Sequence, residues 1–279
     1  MSQALRVFLS IVQKVRSFVQ AILADRKRVI SLLVVCCLLF VGLKLASKYF
    51  TEPSAPPQDV KVTNITDQSL TVSWVTDKPC FGFVFYSPKK YPFIILSKIP
   101  LLPTFLALNT PFELFKIAPD DHAAFSTTHH ATLKNLESEK AYFYRISTGY
   151  HIYKSQITNH KSQILPNIKA AKTLESVPFP DPIYGQVVLE RDLATPVKNA
   201  LVYLSIYGAN PISSYTDEKG AYVLDLSNLR TGNLDQIFKA DLNTEFNFSA
   251  SAGKLGTGKL TIKRSLMNPT PRILIKQNP

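Results

Sequence analysis

Residues 69–74 read Ser69-Leu70-Thr71-Val72-Ser73-Trp74. Leu70, Val72 and Trp74 point one way while Thr71, Ser73 and Val75 point the other, a period of two that predicts a β-strand with one apolar face. A second run repeats the pattern, with Tyr142, Tyr144 and Ile146 set against Phe143, Arg145 and Ser147, and Leu136 standing six residues before Tyr142. That spacing predicts a tyrosine corner, in which a phenol caps loop backbone at the end of a sandwich.

Working outward, Pro57 stands near the start of this module and Val60 and Val62 fit a first strand. These residues resemble a fibronectin type III domain over roughly 57–175, with Trp74 and Tyr142 as its markers. More narrowly, His130-Ala131-Thr132-Leu133-Lys134-Asn135-Leu136 followed by Tyr142-Phe143-Tyr144-Arg145-Ile146 is similar to the N-terminal sandwich that precedes the catalytic domain of purple acid phosphatases. The resemblance raises a metallophosphatase hypothesis, which requires separated carboxylate, Asn and His ligands around two metals. Asp120-Asp121-His122 does contain Asp-x-His. Yet no glycine precedes an Asp, Gly232-Asn233 is followed by Leu234 rather than His, and no length remains for a catalytic domain. The Asp-x-His is expected to be solvated in a loop, and no catalytic residue, metal ligand or cofactor is expected.

The departure from a regular sandwich runs from Lys89 to about Phe125. Its centre, Ile99 to Phe112, carries no charge, and Pro100, Pro103 and Pro111 interrupt any helix. One reading has the insertion fold over an edge or face of its own sandwich. The other makes it an exposed apolar patch for a partner or a nearby bilayer, with Phe93, Ile94, Leu101, Leu102, Phe105 and Leu106 as candidate contacts. Burial of Leu101, Phe105 and Leu106 within the chain decides for the first.

Val177-Pro178-Phe179-Pro180-Asp181-Pro182 forms a proline-rich linker, after which the pattern resets. Ala200, Val202, Leu204 and Ile206 share a face after Pro196, and Asp217 to Gly220 reads as a turn. Gly185, Pro196, Gly220 and Tyr222 are the markers of a resemblance to the carboxypeptidase regulatory-like family, a transthyretin-like β-sandwich, over roughly 182–279. That family implies a non-catalytic module without a cofactor. Some related adhesin repeats carry a Lys–Asn isopeptide bond; one sequence offers no means of pairing a Lys with an Asn.

The formal charge of +12 and pI of about 9.5 suggest a nucleic-acid binder only until they are resolved along the chain. Residues 1–50 hold eight Lys/Arg against Asp25 alone, so the remainder is nearly balanced and nucleic acid is disfavoured. Val29 to Leu43 is uncharged, and extended to Ala46 it is about 27 Å as a helix, close to a bilayer core. Arg26-Lys27-Arg28 before it predicts a cytoplasmic N-terminus by the positive-inside rule. Lys44 beside Ala46 and the long prefix argue against a cleaved signal peptide, and Val35 argues against a lipoprotein at Cys36. Leu5, Phe8, Leu9, Val12, Val15, Val19, Ile22 and Leu23 follow helical spacing, as in a helix lying on the inner leaflet or one leading into the membrane.

Other motifs are weaker. Gly253-Lys254-Leu255-Gly256-Thr257-Gly258-Lys259 fits most of a phosphate-binding loop, but Leu260 stands where Ser or Thr would hold magnesium and the run continues as a strand, so a glycine-rich hairpin is expected. The histidines, His122, His129, His130, His151 and His160, are read as surface or loop residues. His129 and His130 face opposite sides of a strand and cannot easily share an ion. Cys80 is the one cysteine after the apolar segment and is expected to be buried. Asn64-Ile65-Thr66 and Asn247-Phe248-Ser249 are glycosylation acceptors in an organism that uses that pathway.

The expected fold class is thus an all-β extracytoplasmic part of two tandem sandwiches, preceded by an amphipathic helix and one transmembrane helix. The boundaries are 1–28 cytoplasmic, 29–46 transmembrane, 47–56 stalk, 57–175 first sandwich, 176–181 linker and 182–279 second sandwich. The expected role is a single-pass cell-envelope protein, structural or adhesive, with the membrane and a protein or glycan as partners and no cofactor. The alternative is an accessory subunit of an envelope enzyme or transporter complex that docks through the insertion. A metal-dependent phosphoesterase is the third reading.

Overall fold

The structure, a computed structural model, describes residues 13, 30, 34–35, 37–38, 55–89, 115–122, 125–149, 151–153, 167–176, 178–267 and 270–277. Residues 53–279 belong to one compact unit. Strand β1 (Gln58–Thr63), β2 (Leu70–Cys80) and β5 (Ser126–Leu133) form one antiparallel sheet in the order β1-β2-β5. The facing sheet runs β4-β3-β6-β7, built from β3 (Gly82–Ser87), β4 (Lys116–Pro119), β6 (Ala141–Thr148) and β7 (His151–Tyr153). A short β8 (Asn167–Lys169) also pairs with β6. Three strands thus face a five-stranded sheet in a β-sandwich.

The alternation that predicts β2 also builds the first core. Leu70, Val72 and Trp74 are fully buried against Val84 from β3 and Tyr144 and Ile146 from β6. Each such side chain contributes about 1.5–3 kcal/mol on burial. The register of β2 with β5 shifts between Val75 and Cys80, where Pro79 lacks a ladder donor. Cys80 is buried, as expected. The tyrosine corner forms: the Glu137 amide donates to the Tyr142 hydroxyl at 2.9 Å. Part of the expected insertion is regular sheet, because Lys116–Pro119 is β4, pairing with β3 at the sheet edge, where Pro119 is tolerated.

The second sandwich comprises β9 (Pro182–Leu189), β10 (Leu201–Ser205), β11 (Ile212–Tyr215), β12 (Ala221–Asp225), β13 (Glu245–Ser251), β14 (Gly256–Lys263) and β15 (Ile273–Gln277). Its path is β11-β10-β13-β14-β15-β9-β12, antiparallel except for β15 beside β9. Ile212 of β11 and Leu224 of β12, at opposite ends of the path, share one core with Phe246 and Ile273, so the path curls round on itself. Gly220, with φ of 70°, closes the turn into β12, and Asp217 caps it by accepting from the Lys219 and Ala221 amides at 2.8 Å each. Pro196 makes an isolated bridge to Val188. Gly256 to Lys263 is a strand in a hairpin with β13, so the glycine-rich run leads into no helix.

The expected fold class is corrected in its helical part. Among the described residues no helix is long and apolar enough to cross a membrane. A span needs about 20 continuous apolar residues, whereas the described helical residues before Ala55 are Gln13, Ile30, Val34, Val35, Cys37 and Leu38. The remaining positions of the 1–28 and 29–46 assignments lie outside the described residues, and membrane anchoring is not shown.

Candidate functional site

Two doublets, Asp120-Asp121 after β4 and His129-His130 on β5, meet at one end of the first sandwich. The Asp120 amide donates to the Gly82 carbonyl at 3.1 Å and the Asp121 amide to the His130 carbonyl at 2.7 Å, which draws the acidic turn onto β5. Successive strand residues face opposite sides. The doublets therefore make two Asp–His pairs, one inside the sandwich and one outside it.

The inner pair joins Asp120 Oδ2 to His129 Nδ1 at 2.7 Å, with Asp120 5% exposed and His129 fully buried. His129 stacks on Trp74 with centroids 4.9 Å apart, and its Nε2 lies 3.2 Å from Thr76 Oγ1 and 3.6 Å from Cys80 Sγ. Gly82 is required by close approach: a Cβ there would fall 2.6 Å from the Trp74 ring and 2.7 Å from His129 Nδ1. Asp120 Oδ1 also lies 3.1 Å from His122 Nδ1 and accepts from the His122 and His130 amides at 3.2 Å each. Burial by itself would raise the Asp120 pKa; the hydrogen bonds and charges of His122 and His129 outweigh it and hold the carboxyl down at about 2.

The outer pair reaches the second sandwich. Asp121 Oδ2 lies 2.9 Å from His130 Nδ1, and His130 Nε2 lies 3.0 Å from Ser213 Oγ on β11. Ser213 is the hub of the seam. Asn64, held at φ of 52° after β1, donates from Nδ2 to the Ser213 carbonyl and accepts the Ser213 amide at Oδ1, both at 2.9 Å. Asn and Gly adopt this left-handed backbone readily. The Asn64 amide donates to the Pro211 carbonyl at 3.1 Å, and Thr63 Oγ1 lies 2.5 Å from Ser213 Oγ.

The seam continues along the outward face of the β1-β2-β5 sheet. Ser73 Oγ meets the Tyr203 hydroxyl at 2.9 Å, Thr128 donates to the Asn199 carbonyl at 2.6 Å, and Lys61 Nζ lies 3.8 Å from the Tyr203 ring centroid. Burial pushes the Tyr203 hydroxyl up to about 12 against the lowering effect of its bond to Ser73. His122 packs against the Tyr215 ring at 3.6 Å between centroids. Polar residues that alternate outward in sequence, Thr63, Thr71, Ser73, Thr128 and His130, are thus buried, each where a hydroxyl, amide or imidazole can be met.

Asp121, His130 and Ser213 are connected in the order of a carboxylate–imidazole–hydroxyl triad. Such a site needs room for a reacting carbon beside the hydroxyl. Here Ser213 is 6% exposed and the Thr63 hydroxyl already lies against its Oγ, so the observed arrangement joins two sandwiches. Among the described residues no group of three or more His, Cys, Asp or Glu could hold a metal ion. A groove of about 310 Å³ lies elsewhere, lined by Phe179, Leu226, Leu229, Phe238 and Arg264. Its Arg264 is bonded to Asp181 at 2.6 Å and to the Ala240 carbonyl.

The histidine and Asp-x-His expectations are corrected: His129 and His130 are core and seam residues, and Asp120 is buried, because each imidazole has a carboxylate nine positions away in sequence. Their division between opposite faces of the strand is as expected. Trp74, Tyr142, Gly185 and Tyr222 lie in the two sandwiches and do not converge; Gly185 sits under the Tyr222 ring, its register partner. Phe93, Ile94, Leu101, Leu102, Phe105 and Leu106 lie outside the described residues, as does His160. Sequence reasoning singled out Asn64 only as a glycosylation acceptor and missed Ser213 altogether. The Asp and His doublets were the available signal for the rest.

No family model matches the chain, and no curated protein matches it. Among solved structures, one described as a myokine is 21% identical, covering 35% of this chain and 80% of that one, with a TM-score of 0.22. The FN1–FN3 domains of chicken CNTN1 are 16% identical over 76% of this chain and 67% of that one, at 0.25. The shaft pilin SpaA of Lactobacillus rhamnosus GG is 9% identical over 74% and 87%, at 0.26.

Proposed function

We propose that this chain is a non-catalytic structural or adhesive module whose two sandwiches act as one rigid body and present outward loops to a protein or glycan. The observation that carries the reading is Ser213, which bonds through its amide, carbonyl and hydroxyl to Asn64, Thr63 and His130 of the other sandwich. A directional, hydrogen-bonded seam fixes one orientation, because any rotation strands several buried donors and acceptors at once. A rigid pair suits a spacer or shaft better than a hinge.

Exposed aromatics supply the contact groups. Tyr207, 99% exposed beside the Gly208 turn, and Tyr184, 62% exposed on β9, are of the residue type that anchors interfaces. An extracytoplasmic site for residues 55–277 belongs to this proposal and is tested by protease accessibility in intact cells. The binding role is tested by capture on immobilised glycans and on matrix protein. Tyr207→Ala is expected to reduce capture with no change in melting temperature. Turnover of an ester or phosphoester that disappears in His130→Ala overturns the non-catalytic reading.

A further inference from the structure

Phe179 is the most exposed phenylalanine among the described residues, at 93%, yet its backbone is held in place. Pro178 and Pro180 on either side fix φ, and a residue before proline is confined to extended backbone. Asp181 is then pinned: its amide donates to Asp225 Oδ1 at 3.0 Å, its carbonyl accepts the Leu226 amide at 2.9 Å, and its Oδ2 meets Arg264 at 2.6 Å. The phenyl ring thus stands on a rigid base, where ordering on contact costs little beyond its own rotamer.

The same ring lies on the rim of the groove of about 310 Å³, whose lining includes the buried Leu226 and Leu229. An engineered cavity of about 150 Å³ takes up benzene, so this groove has room for a phenyl ring. Leu242 and Leu266, 67% and 64% exposed, extend the apolar surface beside it. The Ser265 amide donates to the Leu242 carbonyl at 3.0 Å, next to the bond from Arg264 to the Ala240 carbonyl at the groove wall. Ring, groove and leucines form one apolar patch.

The arrangement selects its occupant. Knob and hole sit side by side, as a two-fold contact requires, because there the same surface meets itself. Charge points the same way. In or beside the lining, Lys239, Lys263 and Arg264 stand against Asp181, Asp225 and Asp241. A balanced rim meets its own copy without net repulsion, whereas a strongly charged partner finds no complementary field. A small molecule confined to the groove would leave the outer surface of Phe179, Leu242 and Leu266 in water.

We propose that this patch is a self-association site, in which two copies meet about a two-fold axis and the Phe179 ring of each fills the groove of the other. The site is independent of the seam and of the binding role proposed above. An aromatic ring buries about 150–250 Å², and with two leucines the patch stays below the roughly 800 Å² per partner of a standard interface. Dissociation constants of about 1–100 µM are therefore expected.

Sedimentation velocity of the full chain from about 1 µM to about 1 mM should show a monomer–dimer equilibrium, and Phe179→Asp should weaken it by about 30-fold or more. At the lowest concentration Phe179→Asp should melt with the parent, since the ring is exposed; this keeps loss of association distinct from loss of fold. Phe179→p-benzoylphenylalanine, irradiated in a mixture of isotopically heavy and light chains, should give heavy–light products that join position 179 to the segment 226–240. Monomer throughout the range, association undiminished in Phe179→Asp, or crosslinks between chains that miss 226–240 each overturns the proposal. So does native mass spectrometry that finds a small molecule or a different protein on the chain in place of a second copy.

Discussion

Asn64 and Ser213, 149 positions apart, exchange two hydrogen bonds of 2.9 Å in the geometry of a paired side-chain and backbone amide. Asn64 Nδ2 also donates to Thr71 Oγ1 at 3.1 Å, so both protons of the amide nitrogen are in use. The pair locks the end of β1 to β11, and much of what is testable about this protein follows from it.

Asn64→Asp sets a carboxylate oxygen against the Ser213 carbonyl and removes two donated bonds. The expected loss is about 2–4 kcal/mol, or a fall in melting temperature of about 2–4 °C for each kcal/mol at this size. Trp74 is the only tryptophan and reports on the first sandwich, while far-ultraviolet dichroism reports on both. In the parent the two transitions should coincide; in Asn64→Asp they should separate. Coincidence in the variant would show that the seam is not what couples the sandwiches.

The Asp120 carboxyl has a folded pKa of about 2 against an ordinary value of 3.8. A depressed acid contributes stability that is fully present above 3.8 and lost as pH falls through 3.8 towards 2. The amount is about 2 kcal/mol. Urea midpoints between pH 5 and 2 should show this loss in the parent, and Asp120→Asn should start lower and lose less over the same window.

Gly185 and Tyr222 are register partners on β9 and β12, and the tyrosine ring fills the space of the missing side chain. Gly185→Ala should destabilise by about 1–3 kcal/mol through overpacking. Among the described residues the buried Tyr222 hydroxyl has no hydrogen-bond partner, and burial raises its pKa. Tyr222→Phe should therefore be neutral or stabilising by about 1 kcal/mol. A large loss in thermal melts of Tyr222→Phe would mean that the hydroxyl has a partner in solution.

The two glycosylation motifs should behave differently in a host that modifies Asn-x-Ser/Thr. Asn64 has its amide nitrogen committed to the seam, whereas Asn247 is exposed and engages Thr261 only through its Oδ1, at 2.8 Å. Mass spectrometry of the folded fraction should find glycan at Asn247 and none at Asn64. Occupied Asn64 in a protein of parental melting temperature would contradict the seam geometry.

The two sandwiches, the tyrosine corner at Tyr142, the Asp217–Gly220 turn and the buried Cys80 were legible in the sequence, because each is a consequence of alternation or turn chemistry over a few residues. The insertion was drawn too wide, since the four residues of β4 are too short a run to show a period. The helical segments were read from apolar runs, and the described residues contain no helix able to cross a membrane.

The seam was not legible. Thr71, Ser73 and His130 alternate outward as they would on a solvated face, and only the tertiary structure shows that the second sandwich takes the place of water there. The physical reason is that a polar strand face satisfies its donors equally well with water or with a second polar surface, and alternation records only that the face is polar. Local sequence determined that there are two sandwiches and which faces are apolar. The pairing of Asp120 with His129, of Asp121 with His130, and of Asn64 with Ser213 was decided by which distant polar groups the folded chain brings within about 3 Å.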